Sequence, residues 1–125
     1  RGAHLRLPRL DVRLPGLEQR SPQRWVLMHG DAPEGWQRLA SPDSIRGMAD
    51  VQYLYVEGGA GAAASFLKAG LVDRLMIYRA PIVIGSGRPC IGDIGLAALD
   101  DAHGQWRMID RRQLGSDTLE VYERK

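Results

Sequence analysis

A single cysteine, Cys90, stands in the 125 residues. The chain therefore forms no internal disulfide and builds no zinc site from thiolates. An excess of one charge is also missing, since 17 Lys and Arg against 15 Asp and Glu leave a net +2. The basic residues are scattered, as in RLPRLDVR and DRRQ, with no aromatics between them. A nucleic-acid surface concentrates its charge, so no nucleic-acid partner is expected. No apolar run is long enough to span a membrane and no segment resembles a signal peptide. No membrane partner is expected, and the cytoplasm is the default compartment. His4, His29 and His103 show no ligand spacing, and no metal site is expected. Asp100 and Asp101 are adjacent and would diverge in regular structure rather than form a carboxylate pair. No Ser–His–Asp or Cys–His relay can be assembled, so hard chemistry would fall to a bound cofactor.

What is present reads as one domain, residues 1–125, with an ordinary balance of apolar (44%) and charged (26%) residues. The first 24 residues are broken by Pro8, Pro15, Gly16 and Pro22 and read as extended loop. RWVLM (24–28) is a short buried strand, HGDAPEG (29–35) a turn cluster, and Trp36 to Leu39 a second short strand. Ser41 is an N-cap with Pro42 at the first helical position. VQYLYV (51–56), β-branched and aromatic, is the clearest strand of this half. Ala60 to Ala69 reads as a helix with Ala62, Phe66 and Ala69 on one face and Gly70 as its stop. RLMIYRAPIVIG (74–85) is strand-like up to Ala80, where Pro81 interrupts. GSGRPCIGDIG (85–95) is a glycine-rich loop. QWRMIDRRQL and TLEVYERK, joined through Gly115, Ser116 and Asp117, read as a terminal β-hairpin. The order strand, helix, strand, hairpin predicts an α/β sheet, mixed at one edge. The first 50 residues hold few elements for a compact domain. Either that region is irregular, or segments of the natural chain are absent from this sequence.

The stretch VEGGAGAAASFLKAGLVD (56–73) poses the functional question. An apolar run ends in an acid and two glycines just where a helix begins. The first N–H groups of a helix lack internal partners and can receive a phosphate, and glycine lets a ligand come close. A tight strand-to-helix connection that binds nothing accounts for the same residues. The dinucleotide fingerprint GxGxxG is incomplete: Gly59 and Gly61 fit, but Ala64 takes the third place. Ile77 stands where that fold carries its acid, about 20 residues on. No Gly-Lys-Ser/Thr follows, so this is not a Walker loop. Glu57 could bond a ligand hydroxyl or transfer a proton, or simply be a solvated acid. Arg13, beside Asp11, could clamp a phosphate or form a surface pair.

Two separate blocks resemble one family, the reductase domain of the bifunctional deaminase–reductase of riboflavin biosynthesis. The first runs Val56-Glu57-Gly58-Gly59, a small-residue helix, Leu71-Val72-Asp73-Arg74-Leu75 and Ala80-Pro81 to Gly85. It is similar to the family's V-E-G-G, L-V-D-E-L and A-P-x-x-x-G. The second, PRLDVRLPG (8–16) and SPQRWVL (21–27), resembles D-P-x-L-T-x-R and x-P-x-R-V-V-L. With the hairpin they cover most of residues 7–125. The resemblance implies a fold like dihydrofolate reductase: three layers, a mostly parallel mixed sheet and an antiparallel C-terminal hairpin. It implies NADPH-dependent reduction of 5-amino-6-(5-phosphoribosylamino)uracil to the ribitylamino product. Carried over by position, Leu10, Arg13 and Glu57 would face this phosphoribosylaminopyrimidine, with Arg13 near its phosphate and Glu57 the candidate catalytic residue. Gly59, Ala60, Gly61, Ala62, Ala63, Ala64 and Ser65 would cradle the NADPH phosphates. A homodimer is also implied.

The departures shape the alternatives. The family's G-x-G-T-V strand before D-D-P is missing, since RGAHLR runs directly into LPRLD, and Leu7 stands at the second Asp of D-D-P. Met28-His29 replaces an Asp and a polar residue, and the stretch from Ile45 to Val51 is short. The chain therefore reads as a partial or gapped copy. The family's zinc deaminase half, with H-x-E and P-C-x-x-C, is not in it, although that half could be fused upstream in the full-length protein. Two other readings stand beside the reductase. One is a reductase of the same fold acting on another substrate, such as a pterin. The other is a non-catalytic dimerisation or nucleotide-binding relic.

Overall fold

The computed structural model describes residues 23–125, which fall into two units divided between Ile45 and Arg46. In the first, β1 (Trp25–Leu27) and β2 (Gln37–Leu39) form a parallel pair in the register Trp25 with Gln37 to Leu27 with Leu39. Val26 and Leu39 are its buried apolar residues. A 3₁₀-helix, Pro42–Gly47, begins as the sequence predicts, with proline at its first position. The Ser44 hydroxyl accepts from the Ser41 N–H at 3.3 Å, and the Ser44 N–H donates to the Ser41 carbonyl at 3.1 Å.

The second unit holds α1 (Ala60–Lys68), β3 (Arg74–Arg79), a 3₁₀ turn at Leu99–Ala102, β4 (Trp106–Leu114) and β5 (Asp117–Arg124). The three strands form an antiparallel sheet in the order β3-β5-β4. The terminal hairpin is thus present, with Asp117 already inside β5. Its two-residue loop has positive φ at Gly115 (62°) and not at Ser116. That is the type II′ pattern, whose twist matches the flanking strands. A bulge between Met108 and Asp110 shifts the register midway along β4.

Each glutamate of the central strand lies between arginines of both outer strands. Glu120 faces Arg79 at 3.7 Å and Arg111 at 3.8 Å, while Glu123 pairs with Arg74 and with Arg107 at 3.7 Å. Exposed ion pairs singly contribute little, but shared ones stitch three strands at fixed register. Tyr122 donates to Glu120 at 3.0 Å, a hydrogen bond that raises its phenol above the ordinary value. Arg112 donates to Asp110 at 2.6 Å and lowers that carboxyl.

Two expectations need correction. VQYLYV forms no strand. All six residues are exposed, Tyr53 to 85%, and no described strand pairs with them. A β-branched run becomes a strand only where a neighbour takes its N–H and C=O groups. The strand–helix–strand unit therefore lacks its first member. As a result the described strands do not form one mostly parallel sheet, but a parallel pair and a separate antiparallel sheet.

The core of the second unit is Ala64, Phe66, Leu119 and Val121. The end of α1 is closed as the sequence predicts. Gly70 takes φ of 69°, its N–H donates to the Leu67 carbonyl at 3.0 Å, and the Leu71 N–H donates to Phe66 at 3.1 Å. This pair of bonds is a Schellman cap. Arg124 then ties β5 to the exit. Its backbone N–H bonds Asp73 and its Nε bonds Val72, both at 3.0 Å, and its guanidinium lies 5.3 Å from the Trp106 ring centre.

Gly70→Ala tests this closure. A Cβ there would meet only Arg124, at an ordinary 3.6 Å. The cost is therefore backbone strain alone, about 1 kcal/mol. Urea denaturation should show that loss with an unchanged m value.

Candidate functional site

The residues before and inside the first turn of α1 form the candidate site. Gly59 is the N-cap residue, with φ of −73°, and makes no side-chain cap. Its carbonyl accepts the first helical bond, from Ala63 at 3.2 Å. The N–H groups of Ala60, Gly61 and Ala62 therefore precede the first helical bond and stay available. The first turn carries no acid. Its positive helix end is thus uncompensated by a neighbouring side chain of that turn.

Three glycines here have different reasons to be glycine. A Cβ on Gly58 would stand 2.7 Å from the Ala62 Cβ, so packing within the chain excludes a side chain there. Cβ atoms on Gly59 and Gly61 would meet nothing within 4 Å. Neither of these two has positive φ. Glycine inside a helix costs up to about 1 kcal/mol against alanine. At Gly61 no described neighbour explains that cost.

The turn is held from one side by the loop that follows β3. Gly92 donates its N–H to the Ala60 carbonyl at 2.9 Å, and a Cβ on Gly92 would lie 3.2 Å from that oxygen. Sequence reasoning identified the glycine-rich loop without seeing that it seats on the helix start. The only signal available was its spacing of glycines.

Of the seven residues assigned to a phosphate cradle, Gly59, Ala60, Gly61 and Ala62 surround the free donors. Ala63 has its N–H in the helix. Ala64 is buried, and Ser65 turns its hydroxyl back to the Gly61 carbonyl at 2.9 Å. Glu57 lies exposed two residues ahead of the N-cap. Leu10 and Arg13 lie outside the described residues.

A family model described as the RibD C-terminal domain matches residues 17–119. The chain belongs to that family. Among its relatives, the riboflavin biosynthesis protein RibD of Mycobacterium tuberculosis is 31% identical over 75 residues, 60% of this chain and 22% of that protein. RibD of Aquifex aeolicus is 33% identical over 75 residues, 60% of this chain and 20% of its own length. RibD of Corynebacterium ammoniagenes is 36% identical over 99 residues, 64% of this chain and 28% of its own. The chain thus spans between a fifth and somewhat over a quarter of the curated relatives it matches. The matched residues include the whole of α1 and the glycine turn before it.

The glycines can be separated by stability alone. Gly58→Ala should destabilise the unit by about 1–3 kcal/mol through the clash with Ala62. Gly61→Ala should be neutral or stabilise by up to about 1 kcal/mol. Thermal melts of both variants, followed by circular dichroism, should move in these different directions.

Proposed function

We propose that this chain is the NADPH-dependent reductase portion of riboflavin biosynthesis, acting on 5-amino-6-(5-phosphoribosylamino)uracil. The observation that supports it is the open space at Gly59 and Gly61 over unpaired helix donors. A position that gives up helix stability with no packing reason fits one reserved for close approach of a ligand.

In this reading Ala60, Gly61 and Ala62 hold the cofactor's phosphates with their backbone N–H groups. Gly59 and Gly61 keep side chains out of the way, and Gly92 fixes the turn from the loop. NADPH, when bound, supplies the hydride that reduces C1′ of the opened sugar. Glu57 contacts the substrate beside the reacting carbon, and its carboxylate can accept or return a proton from a sugar hydroxyl. Arg13 holds the substrate phosphate with its guanidinium fork, and Leu10 packs against the substrate. The two units belong to one domain of the dihydrofolate-reductase-like class. It works as a homodimer in the cytoplasm, and a zinc deaminase domain is joined to it in the full-length protein.

The decisive experiment is NADPH titration of the purified chain by tryptophan quenching, with NADH as control. Saturable, NADPH-selective binding is expected, and Gly61→Ala should weaken it at least about tenfold while the fold is kept. A folded sample that binds neither cofactor would favour the relic reading. Glu57→Gln should lower turnover with NADPH affinity unchanged. Arg13→Ala should raise KM for the pyrimidine far more than it affects NADPH, and equal weakening of both would remove Arg13 from the substrate phosphate.

A further inference from the structure

At the other end of α1 lies a cavity of about 360 Å³ that the proposed reaction does not use. Its size falls in the range of small-molecule pockets. Leu67, Ile94 and Leu96 supply an apolar wall, and Trp106 an aromatic one. Lys68 and Arg124 bring two positive charges to it, and Asp101 a single carboxylate.

The charges are not equally free. Asp101 already accepts the Ala98 N–H at 3.1 Å. Nearby Asp93 accepts the Gly95 N–H at 2.7 Å. Among the described residues no carboxylate pairs with Lys68 or Arg124. Lys68 is held against the loop, its Nζ 3.7 Å from where a Cβ on Gly95 would stand. Arg124 commits its Nε to the Val72 carbonyl and its face to Trp106, which leaves its terminal nitrogens as donors. A helix C-terminus usually repels anions through unpaired carbonyls. Here the carbonyls of Phe66 and Leu67 are taken by Leu71 and Gly70.

We propose that this cavity binds a small organic anion. Its apolar or ring-shaped body lies against Leu67, Ile94 and Leu96, and its carboxylate or phosphate bridges Lys68 and Arg124. Two cations among the lining residues select for charge, and the apolar side chains beside them select for an apolar body.

The test titrates the full chain with 2-naphthoate, its neutral analogue 2-naphthalenemethanol, benzoate and phenyl phosphate, followed by amide NMR shifts. Expected shifts centre on Lys68, Ile94 to Leu96, Trp106 and Arg124, with naphthoate at least about tenfold tighter than the alcohol. Lys68→Met should weaken naphthoate by a similar factor and leave the alcohol unchanged. Phenyl phosphate tighter than benzoate would support a phosphoryl ligand, and the reverse a carboxylate. Equal affinity for naphthoate and the alcohol would overturn the proposal. So would an indifferent Lys68→Met variant, absence of binding, or shifts confined to Gly59–Ala62. These outcomes leave NADPH binding at the glycine turn a separate question.

Discussion

β5 is the strand on which residues 46–125 depend, because both β3 and β4 take their ladder bonds from it. It supplies two of the four buried apolar residues of that unit, Leu119 and Val121. It also supplies both glutamates shared by arginines of the outer strands. At its end, Arg124 reaches back to Val72 and Asp73, the residues that lead from helix to sheet. The C-terminal strand thus fixes where α1 stops relative to β3. A chain that lost β5 would lose the partner of both other strands at once, and with it the Arg124 bonds that tie the helix exit to the sheet.

α1 needs that support. Nine residues are fewer than an isolated helix requires to be stable in water. Its stability must come from the burial of Ala64 and Phe66 and from the closed C-terminal turn. Because the far end and the buried face carry the stability, the first turn is free to contain glycine and to leave its donors unpaired. Placement of Gly59 and Gly61 at the turn is therefore compatible with folding only through contacts made elsewhere in the helix.

Much of this was legible from residue pattern, and the gaps have physical causes. β1, β2, the Pro42 helix start, the Gly70 stop and the terminal hairpin follow from local chemistry: proline and glycine geometry, and short runs bounded by turn residues. VQYLYV is β-branched and aromatic and yet is no strand, because composition cannot supply a neighbour. The Arg–Glu–Arg brackets join residues 41 and 49 positions apart on the β3 side and need the sheet register to be seen. At the site, the difference between Gly58 and Gly61 was invisible. Both are glycines beside a helix start, and only the position of the Ala62 Cβ tells them apart. The role of the loop was hidden for the same reason, since the bond from Gly92 to Ala60 spans the whole of β3. Leu10 and Arg13 lie outside the described residues, so their part rests on the resemblance of PRLDVR alone.

The two ends of α1 meet the same problem in opposite ways. Every helix has unpaired N–H groups at its start and unpaired carbonyls at its end. At the end, the chain satisfies carbonyls itself, with Gly70, Leu71 and a positively charged Lys68 in the last turn. At the start it offers no capping side chain and no acid within the first turn, and Gly61 carries no Cβ. A Ser, Asp or Asn at the N-cap would stabilise the helix by only a few tenths of a kcal/mol, on the order of 0.3, over the glycine present. Gly59 forgoes it although space for a side chain is open there. The helix is thus closed by its own chain at one end, and at the other it keeps the unpaired N–H groups of its first turn free of any capping side chain.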